Sequence, residues 1–473
     1  MWLQWGFKGW LELRFKGKPF IILPYFIRFR ELCMKTASLP DLPFPLFSRT
    51  QVSALEQTAI QQQGIPGIQL MKRAGRACFE SLLEHYPSPE KISVFCGSGN
   101  NAGDGYVLAA LAASRKIPVE IVQVGHQDSL SEDAKAALEF ARSASVPIVS
   151  ECELGAGVIV DGLLGTGYQS GTLKPDYQRA IEQMNQSGLP ILAIDVPSGL
   201  NVDSGAADTT AVKAKHTVTF IGLKPGLLTG RGPALCGEIH FDSLGLDAAI
   251  TGESEAALTR LALANEIKAL SLRDADAHKG AFGHVMVIGG DSGMGGAPLM
   301  AVEAASRVGA GLVSVATRPE HVAAILARRP EAMVSGVPSG QALEPLLERP
   351  SVLVVGPGMG RSAWSEQVLQ QALKTGLPLV VDADALNIIS EGRVMPKAHR
   401  DNWILTPHPG EAARLLGCST ADIQNDRMKA VSDIQKQYGG VCVLKGAGTL
   451  IAGPTGLLTL SDSGNAGMAS GGM

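Results

Sequence analysis

The sequence has no CxxC pair, no marked excess of either charge, few aromatic residues and no apolar run long enough to cross a bilayer. Each absence narrows what the chain can be. The seven cysteines (Cys33, Cys78, Cys96, Cys152, Cys236, Cys418, Cys442) are odd in number and scattered. Neither a disulfide framework nor a zinc site is therefore indicated, and a reducing, cytoplasmic setting fits. A formal net charge of −4 leaves no basic footprint for nucleic acid. The run "PFIILPYFI" (Pro19–Ile27) is shorter than the roughly 20 residues of a membrane span, carries two prolines, and is followed by no small-residue cleavage site. No membrane partner is expected. Residues 1–45 are read as an extension, non-native or disordered, with Met34 a more natural start than Met1.

What the chain does contain suits two α/β domains. Its 473 residues exceed one ordinary core, 45% of them are hydrophobic, and its 55 glycines follow no collagen-like period. Short β-branched runs that end in Gly, Asp or Pro turns ("KISVFCGSG", "PVEIVQVG", "GVIVDGLLG", "LPILAIDVPSG", "HTVTFIG") alternate with helix-length segments. They predict a parallel, doubly wound sheet over residues 46–246. The pattern returns over residues 281–473 in "GHVMVIGG", "AGLVSVAT", "SVLVVGPG", "LPLVVDADA" and "NWILTPHPG". "GGVCVLKGAGTLIAG" with "GLLTLSD" predicts a hairpin after the parallel strands. Residues 247–280, polar and alanine-rich, are expected to be a partly helical connector.

The first chemical signal is "GSGNNAGDG" (Gly97–Gly105), which follows an apolar strand and opens an apolar helix. Ligands of open α/β sheets bind beyond the carboxyl ends of strands, where a helix N-terminus favours anions. The spacing is GxGxxxG, which is neither the dinucleotide fingerprint nor a Walker A loop, and a tight structural turn would need only its glycines. Asn100, Asn101 and Asp104 are more than such a turn requires. Two further strand ends add Asp161 in "VDGLLGTGYQSG" and Asp195 with Ser198 in "IDVPSGL". A single such aspartate would be read as a cap; three at adjacent strand ends make a site.

At these three strand ends the sequence resembles the NAD(P)H-hydrate epimerases. The resemblance implies a Rossmann-like fold that interconverts the S and R forms of NAD(P)HX, the water adducts of reduced nicotinamide cofactors. It implies that Asn101, Asp161 and Ser198 hold a potassium ion. It gives substrate contacts to Asn100, Asn101, Ala102, Gly103 and Asp104, and to Gly165, Thr166, Gly167, Tyr168, Gln169, Ser170 and Gly171. Asp195 is both a substrate contact and the acid/base candidate. Epimerising a carbinolamine carbon means losing and regaining a hydroxyl, for which a positioned carboxylate moves the proton, and oxygen ligands suit a hard cation. Lys224 in "FIGLKPGLL" reads either as a pyrophosphate neighbour or as a solvated strand-end lysine.

Four signals follow in order in the second half: "GPGMG" (Gly356–Gly360), "DADAL" (Asp382–Leu386), "TPHPGE" (Thr406–Glu411) and "KGAGT" (Lys445–Thr449). Each is weak alone, and a lone His408 would be a loop residue. With "GGDSGMGGAPLMA" they resemble the ADP/ATP-dependent NAD(P)HX dehydratases, whose fold is ribokinase-like. The resemblance implies that Ala297, Gly358 and His408 bind the hydrated cofactor. Lys445, Gly446, Ala447, Gly448 and Thr449 would cradle ADP or ATP with magnesium, with Glu411 near metal or phosphate. The family reaction phosphorylates the C6 hydroxyl of the S form and eliminates phosphate, so an epimerase fused to it lets NADHX and NADPHX be wholly repaired.

In the dehydratases the run matching "GNAGMASGGM" continues with Gly-Asp and a helix. The second domain is accordingly expected to lack its C-terminal end and to dehydrate poorly unless Asp382 or Asp384 serves as base. Two other readings stay open. One makes the second domain a kinase of a small alcohol; the other makes the first a ligand-binding module without turnover. A homo-oligomer is expected.

Overall fold

The computed structural model describes residues 42–469 apart from 170, 172, 247–255, 262–265, 270–272 and 397. It also describes Arg14–Phe15 and Lys18–Pro19, two short strands paired antiparallel within the first 42 residues. Most of the expected extension, much of the expected connector, and Ser470–Met473 thus lie outside the described residues. Among those described, no helix is long and apolar enough to cross a membrane.

From Pro43 onward the chain forms one compact unit built on two sheets. Strand β1 (Pro45–Leu46) leads into helices α1 (Arg49–Gln62) and α2 (Gly67–His85). There follow β2 (Ile92–Cys96), α3 (Asn100–Ser114), β3 (Val119–Gln123), α4 (Glu132–Ser143), β4 (Ile148–Val149) and β5 (Val158–Gly162). Helix α5 (Pro175–Gln186), β6 (Ile191–Ile194), β7 (His216–Phe220) and β8 (Glu238–Asp242) complete the first domain. Its seven strands run in the order β8-β7-β6-β5-β2-β3-β4, and every pairing is parallel. Strands β2, β5, β6 and β7 are buried along their whole length, as unbroken apolar runs covered on both faces must be. Helices α1 to α4 bury one face around Phe79, Tyr106 and Leu108, and α5 buries the other around Tyr177, Ile181 and Met184. The order in which successive strands are added reverses between β2 and β5, so the switch point lies at "GSGNNAGDG" and Asp161.

The second sheet has eleven strands. In chain order they are β1, β9 (Leu258–Arg260), β10 (His284–Ile288), β11 (Leu312–Thr317), β12 (Met333–Gly336), β13 (Val352–Val355), β14 (Leu379–Val381) and β15 (Trp403–Leu405), then β16 (Val441–Leu444), β17 (Thr449–Ala452) and β18 (Leu458–Ser461). The spatial order is β12-β11-β10-β13-β14-β15-β16-β17-β18-β9-β1. Its switch point, between β10 and β13, carries the two glycine-rich turns "GGDSGMGG" and "GPGMG". β16 to β18 form an antiparallel meander, and the segment after β16 is the expected hairpin.

Two expectations about organisation change here. Leu258–Arg260, in the segment read as a partly helical connector, is a strand that pairs parallel with β18. Pro45, read as the end of the extension, lies in β1 and pairs with Thr259 of β9. The physical reason is the open edge that β18 would otherwise present; Leu258 is buried against it. A strand of three residues is too short to show any periodicity.

The domains also meet at Thr229, from the first, and the "KGAGT" turn between β16 and β17. Thr229 Oγ1 donates to the Gly448 carbonyl at 2.8 Å, the Gly230 N–H donates to Ala447 O at 3.1 Å, and Arg427 Nε donates to Thr229 Oγ1 at 3.2 Å. Arg427, 1% exposed, also reaches the carbonyls of Leu444, Lys445 and Gly448. A Cβ on Gly448 (φ +61°) would lie 2.1 Å from Leu228 O, so only glycine lets the two backbones approach this closely. Replacing Thr229 by Val keeps the shape but leaves a buried guanidinium N–H and a carbonyl short of partners. The expected loss is about 2 kcal/mol, measured as a lower denaturant midpoint with unchanged slope.

Candidate active sites

In the first domain the strand β6 is followed directly by Asp195, whose φ of +62° is costly for a non-glycine residue. Backbone strain of this kind persists where the surroundings over-determine it, and here three donors do so. Lys224 Nζ, Thr219 Oγ1 (3.0 Å) and the Phe220 N–H (3.4 Å) all donate to Oδ1. No donor among the described residues reaches Oδ2, and the side chain is 15% exposed, so one oxygen stays available to a ligand. Lys224 is 1% exposed. Its ammonium is fully used, on Asp195, Thr219 Oγ1 and Phe220 O. Both readings of Lys224 from the sequence are corrected: it is buried beneath the site as the counterion of Asp195, and among the described residues no other basic side chain pairs with that carboxylate.

Two more carboxyls share this field. Burial pushes Asp104 well above the usual carboxylate range, the neighbouring Asp195 and Glu56 push it further, and Lys224 opposes them. Burial of the carboxyl of Glu56, the one acidic residue of α1, raises its pKa, with Asp195 adding to the shift and Lys224 opposing it. Sequence reading missed Glu56. The available signal was a solitary acid in an otherwise uncharged helix surface after Arg49.

Asp161 and Ser198 also meet. Ser198 donates to Asp161 from its N–H (2.8 Å) and its hydroxyl (2.7 Å), and the Leu163 N–H adds a third bond at 3.2 Å. Burial nonetheless pushes the Asp161 carboxyl up to about 6, and no basic side chain among the described residues pairs with it. Asn101 donates to Leu164 O at 3.1 Å, next to the Leu164 N–H that Ser198 Oγ accepts at 2.9 Å. The amide oxygen of Asn101 is thereby left as an acceptor. Three oxygen donors around a buried carboxylate lacking a counterion fit a hard monovalent cation.

The remaining residues of the first set divide. Asn100 accepts from Ser131 Oγ at 2.7 Å and begins α3, whose first N–H groups face the switch point. Ala102 is buried, and a Cβ on Gly103 would lie 2.4 Å from Met71 Sδ; these two serve the packing of α3 on its neighbours and can offer a ligand only backbone. Gly165 lies against Asn101. Thr166 is half-buried and Gly167 exposed. Tyr168 turns back to Gly171 O at 3.2 Å. Tyr168 and Gln169 line a cleft of about 390 Å³ whose far wall is Asn425, Asp426 and Met428 of the second domain. Ser170 lies outside the described residues.

In the second domain helices α6 (Gly296–Arg307), α7 (Val322–Arg328), α8 (Ala363–Lys374), α9 (Ala383–Ser390), α10 (Pro409–Leu416), α11 (Thr420–Asn425) and α12 (Arg427–Tyr438) flank the sheet. The glycine-rich turns cross: Gly290 N–H donates to Pro357 O (3.1 Å) and Asp291 N–H to Gly358 O (2.8 Å). A Cβ on Gly358 (φ +57°) would sit 3.1 Å from that of Ala297, which brings this pair together. Asp382 accepts from Lys445 Nζ (2.7 Å) and Thr406 Oγ1 (2.8 Å), joining "DADAL", "TPHPGE" and "KGAGT" at one carboxylate. Ala383, directly after it, has φ +48°. Asp384 accepts from the Gly360 N–H at 2.8 Å.

His408 and Glu411 form a capping box on α10. His408 Nδ1 accepts from the Gly410 N–H at 2.9 Å, and Glu411 Oε2 accepts from the His408 N–H at 2.8 Å. Burial raises the Glu411 carboxyl above its ordinary range. Glu411, expected near metal or phosphate, is 5% exposed and holds the helix start.

Charged groups gathered at the switch points of two doubly wound sheets are the marks of an α/β enzyme with two separate sites. The NAD(P)H-hydrate dehydratase family matches residues 285–473, and the family described as YjeF-related protein N-terminus matches residues 67–226. The chain is 47% identical over 431 residues to a bifunctional NAD(P)H-hydrate repair enzyme of Coxiella burnetii, covering 90% of this chain and 87% of that one. It is 41% identical over 436 residues to the enzyme of the same description from Escherichia coli, covering 92% and 83%. A solved ADP/ATP-dependent NAD(P)H-hydrate dehydratase from Bacillus subtilis is 30% identical, covers 44% of this chain and 74% of its own, and gives a TM-score of 0.38. This chain belongs to the bifunctional NAD(P)H-hydrate repair enzymes, with a Rossmann-like domain followed by a ribokinase-like one.

Proposed function

We propose that this chain repairs hydrated NADH and NADPH in two steps, epimerising R- and S-NAD(P)HX in the first domain and dehydrating the S form in the second at the expense of ADP or ATP with magnesium. The observation that carries the first step is the pairing of an unusually basic carboxyl, Asp104, with an ion-paired carboxylate, Asp195, at one strand-end crevice. Groups whose environments differ in this way divide the roles of acid and base. Asp104 donates its proton to the C6 hydroxyl, which departs as water while the ring nitrogen's lone pair forms an iminium. Water returns to the opposite face and gives its proton to Asp195, and return of that proton to Asp104 resets the site. Asn101, Asp161 and Ser198 hold potassium, whose charge offsets Asp161 and favours the substrate phosphates. In the second domain Ala297, Gly358 and His408 contact the hydrated cofactor, and Lys445–Thr449 hold the nucleotide.

The test is incubation with mixed R- and S-NADHX, with and without ADP, each epimer being followed chromatographically. Without ADP the epimers should interconvert; with it both should disappear into NADH. Stable epimer ratios without ADP would leave the first domain as a binding module, and an ADP-dependent phosphorylated alcohol in place of NADH would favour the small-alcohol kinase. A pH profile tests the acid. Because the Asp104 pKa is raised, its protonated, active form survives to higher pH than an ordinary carboxyl and is lost as pH rises through that pKa. Epimerisation kcat should fall on the alkaline side, and Asp104→Asn should remove that limb with a loss of about 100-fold or more.

A further inference from the structure

At the other pole of the first sheet, where strands begin, four side chains converge that the repair chemistry does not use. His216 opens β7, and Glu238 and His240 lie two apart in β8, in parallel register with His216 and Val218. Strand alternation puts all three on one face, and α2, which ends at His85, closes over them. The ligand atoms of His85, His216, Glu238 and His240 lie within 4.8 Å of one another. His216 Nδ1 is 3.3 Å from His240 Nε2 and 3.7 Å from Glu238 Oε2, and His85 Nε2 is 4.0 Å from the same oxygen.

We propose that these four residues bind a zinc ion that staples the end of α2 to the edge strands β7 and β8. Zinc bound at 2.0–2.1 Å by nitrogen and oxygen ligands sets tetrahedral ligand atoms roughly 3.3 Å apart, so the His216–His240 pair already stands at that separation and the cluster as a whole, which spans up to 4.8 Å, contracts on loading. The shell behind the ligands supports the assignment. His85 Nδ1 donates to the Ser81 carbonyl at 2.8 Å, which turns Nε2 toward the Glu238 carboxylate. A backbone carbonyl fixing the tautomer is what ligating histidines commonly show. Three imidazoles and one carboxylate suit zinc better than magnesium or calcium. Glu238, about half exposed, provides the entry side. Four protein ligands leave no open position, which makes the role structural.

The experiment uses the full chain without a histidine tag, stripped by chelator and dialysed. Elemental analysis after zinc loading should give one equivalent, melting temperature should rise on loading, and Co2+ in place of zinc should give the intense visible bands of four-coordinate cobalt. His85→Gln combined with His240→Gln should abolish those bands and weaken zinc binding at least about tenfold, with epimerisation retained. If that variant does not fold, Glu238→Gln at the exposed rim is expected to fold and to lose affinity. The proposal is overturned if stripped wild-type protein takes up no zinc at micromolar concentration, if cobalt shows only the weak spectrum of six-coordination, or if the folded variants bind as wild type does.

Discussion

Asp195→Asn should lower epimerisation by about 100-fold to 10,000-fold, the range for removing a general base. The amide keeps the shape and an oxygen for Lys224 and Thr219, but it cannot take the proton from the incoming water. It also leaves the Lys224 ammonium, 1% exposed, without its counterion, so the variant should melt earlier than wild type. Those two losses are separable. In the double variant Asp195→Asn with Lys224→Met, neither an unpaired ammonium nor an unpaired carboxylate is buried, and most of the stability should return while epimerisation stays lost. Recovery of activity together with stability would show that Asp195 only supports the fold.

Lys224→Met alone should strongly destabilise the first domain. Breaking a buried ion pair from one side strands the other charge, at a cost of about 3 kcal/mol here, the lower end of the usual range because Asp195 retains some contact with water. The ammonium also holds Thr219 and the Phe220 carbonyl, so the end of β7 loses its tie to the end of β6. The expected melting shift is roughly 6 to 12 °C downward for a domain of this size. Wild-type melting behaviour in Lys224→Met would mean that the ion pair contributes nothing net.

How far the sequence could be read depended on the range of the interaction. β2, β5, β6 and β7 were legible because a strand buried on both faces must be apolar at every position, and the turns after them were legible because Gly, Asn and Asp there serve backbone geometry that few other residues permit. Asp161 and Ser198 could be grouped as strand-end residues for the same reason. Leu258–Arg260 was not legible as a strand, since three residues carry no period and their pairing with β18 depends on an edge formed some 200 residues later in the chain. Glu56 was invisible as a site residue because its relevance comes from the field of Asp195 and Asp104, to which only the docking of α1 gives access.

The same distinction separates motif from role. The sequence by itself determined two parallel α/β domains, the placing of polar groups at strand ends, and the family to which those motifs belong, because helix and strand periodicity and turn chemistry act over a few residues. Tertiary structure alone decided that Lys224 neutralises Asp195 rather than meeting solvent or phosphate. It alone joined Lys445, Asp382 and Thr406, set Thr229 and Arg427 against the "KGAGT" turn, and gathered His85, His216, Glu238 and His240 at the opposite pole. Burial and electrostatic coupling act through space over a few ångströms, and whether two residues come that close depends on the closed packing of the whole sheet and not on their separation along the chain.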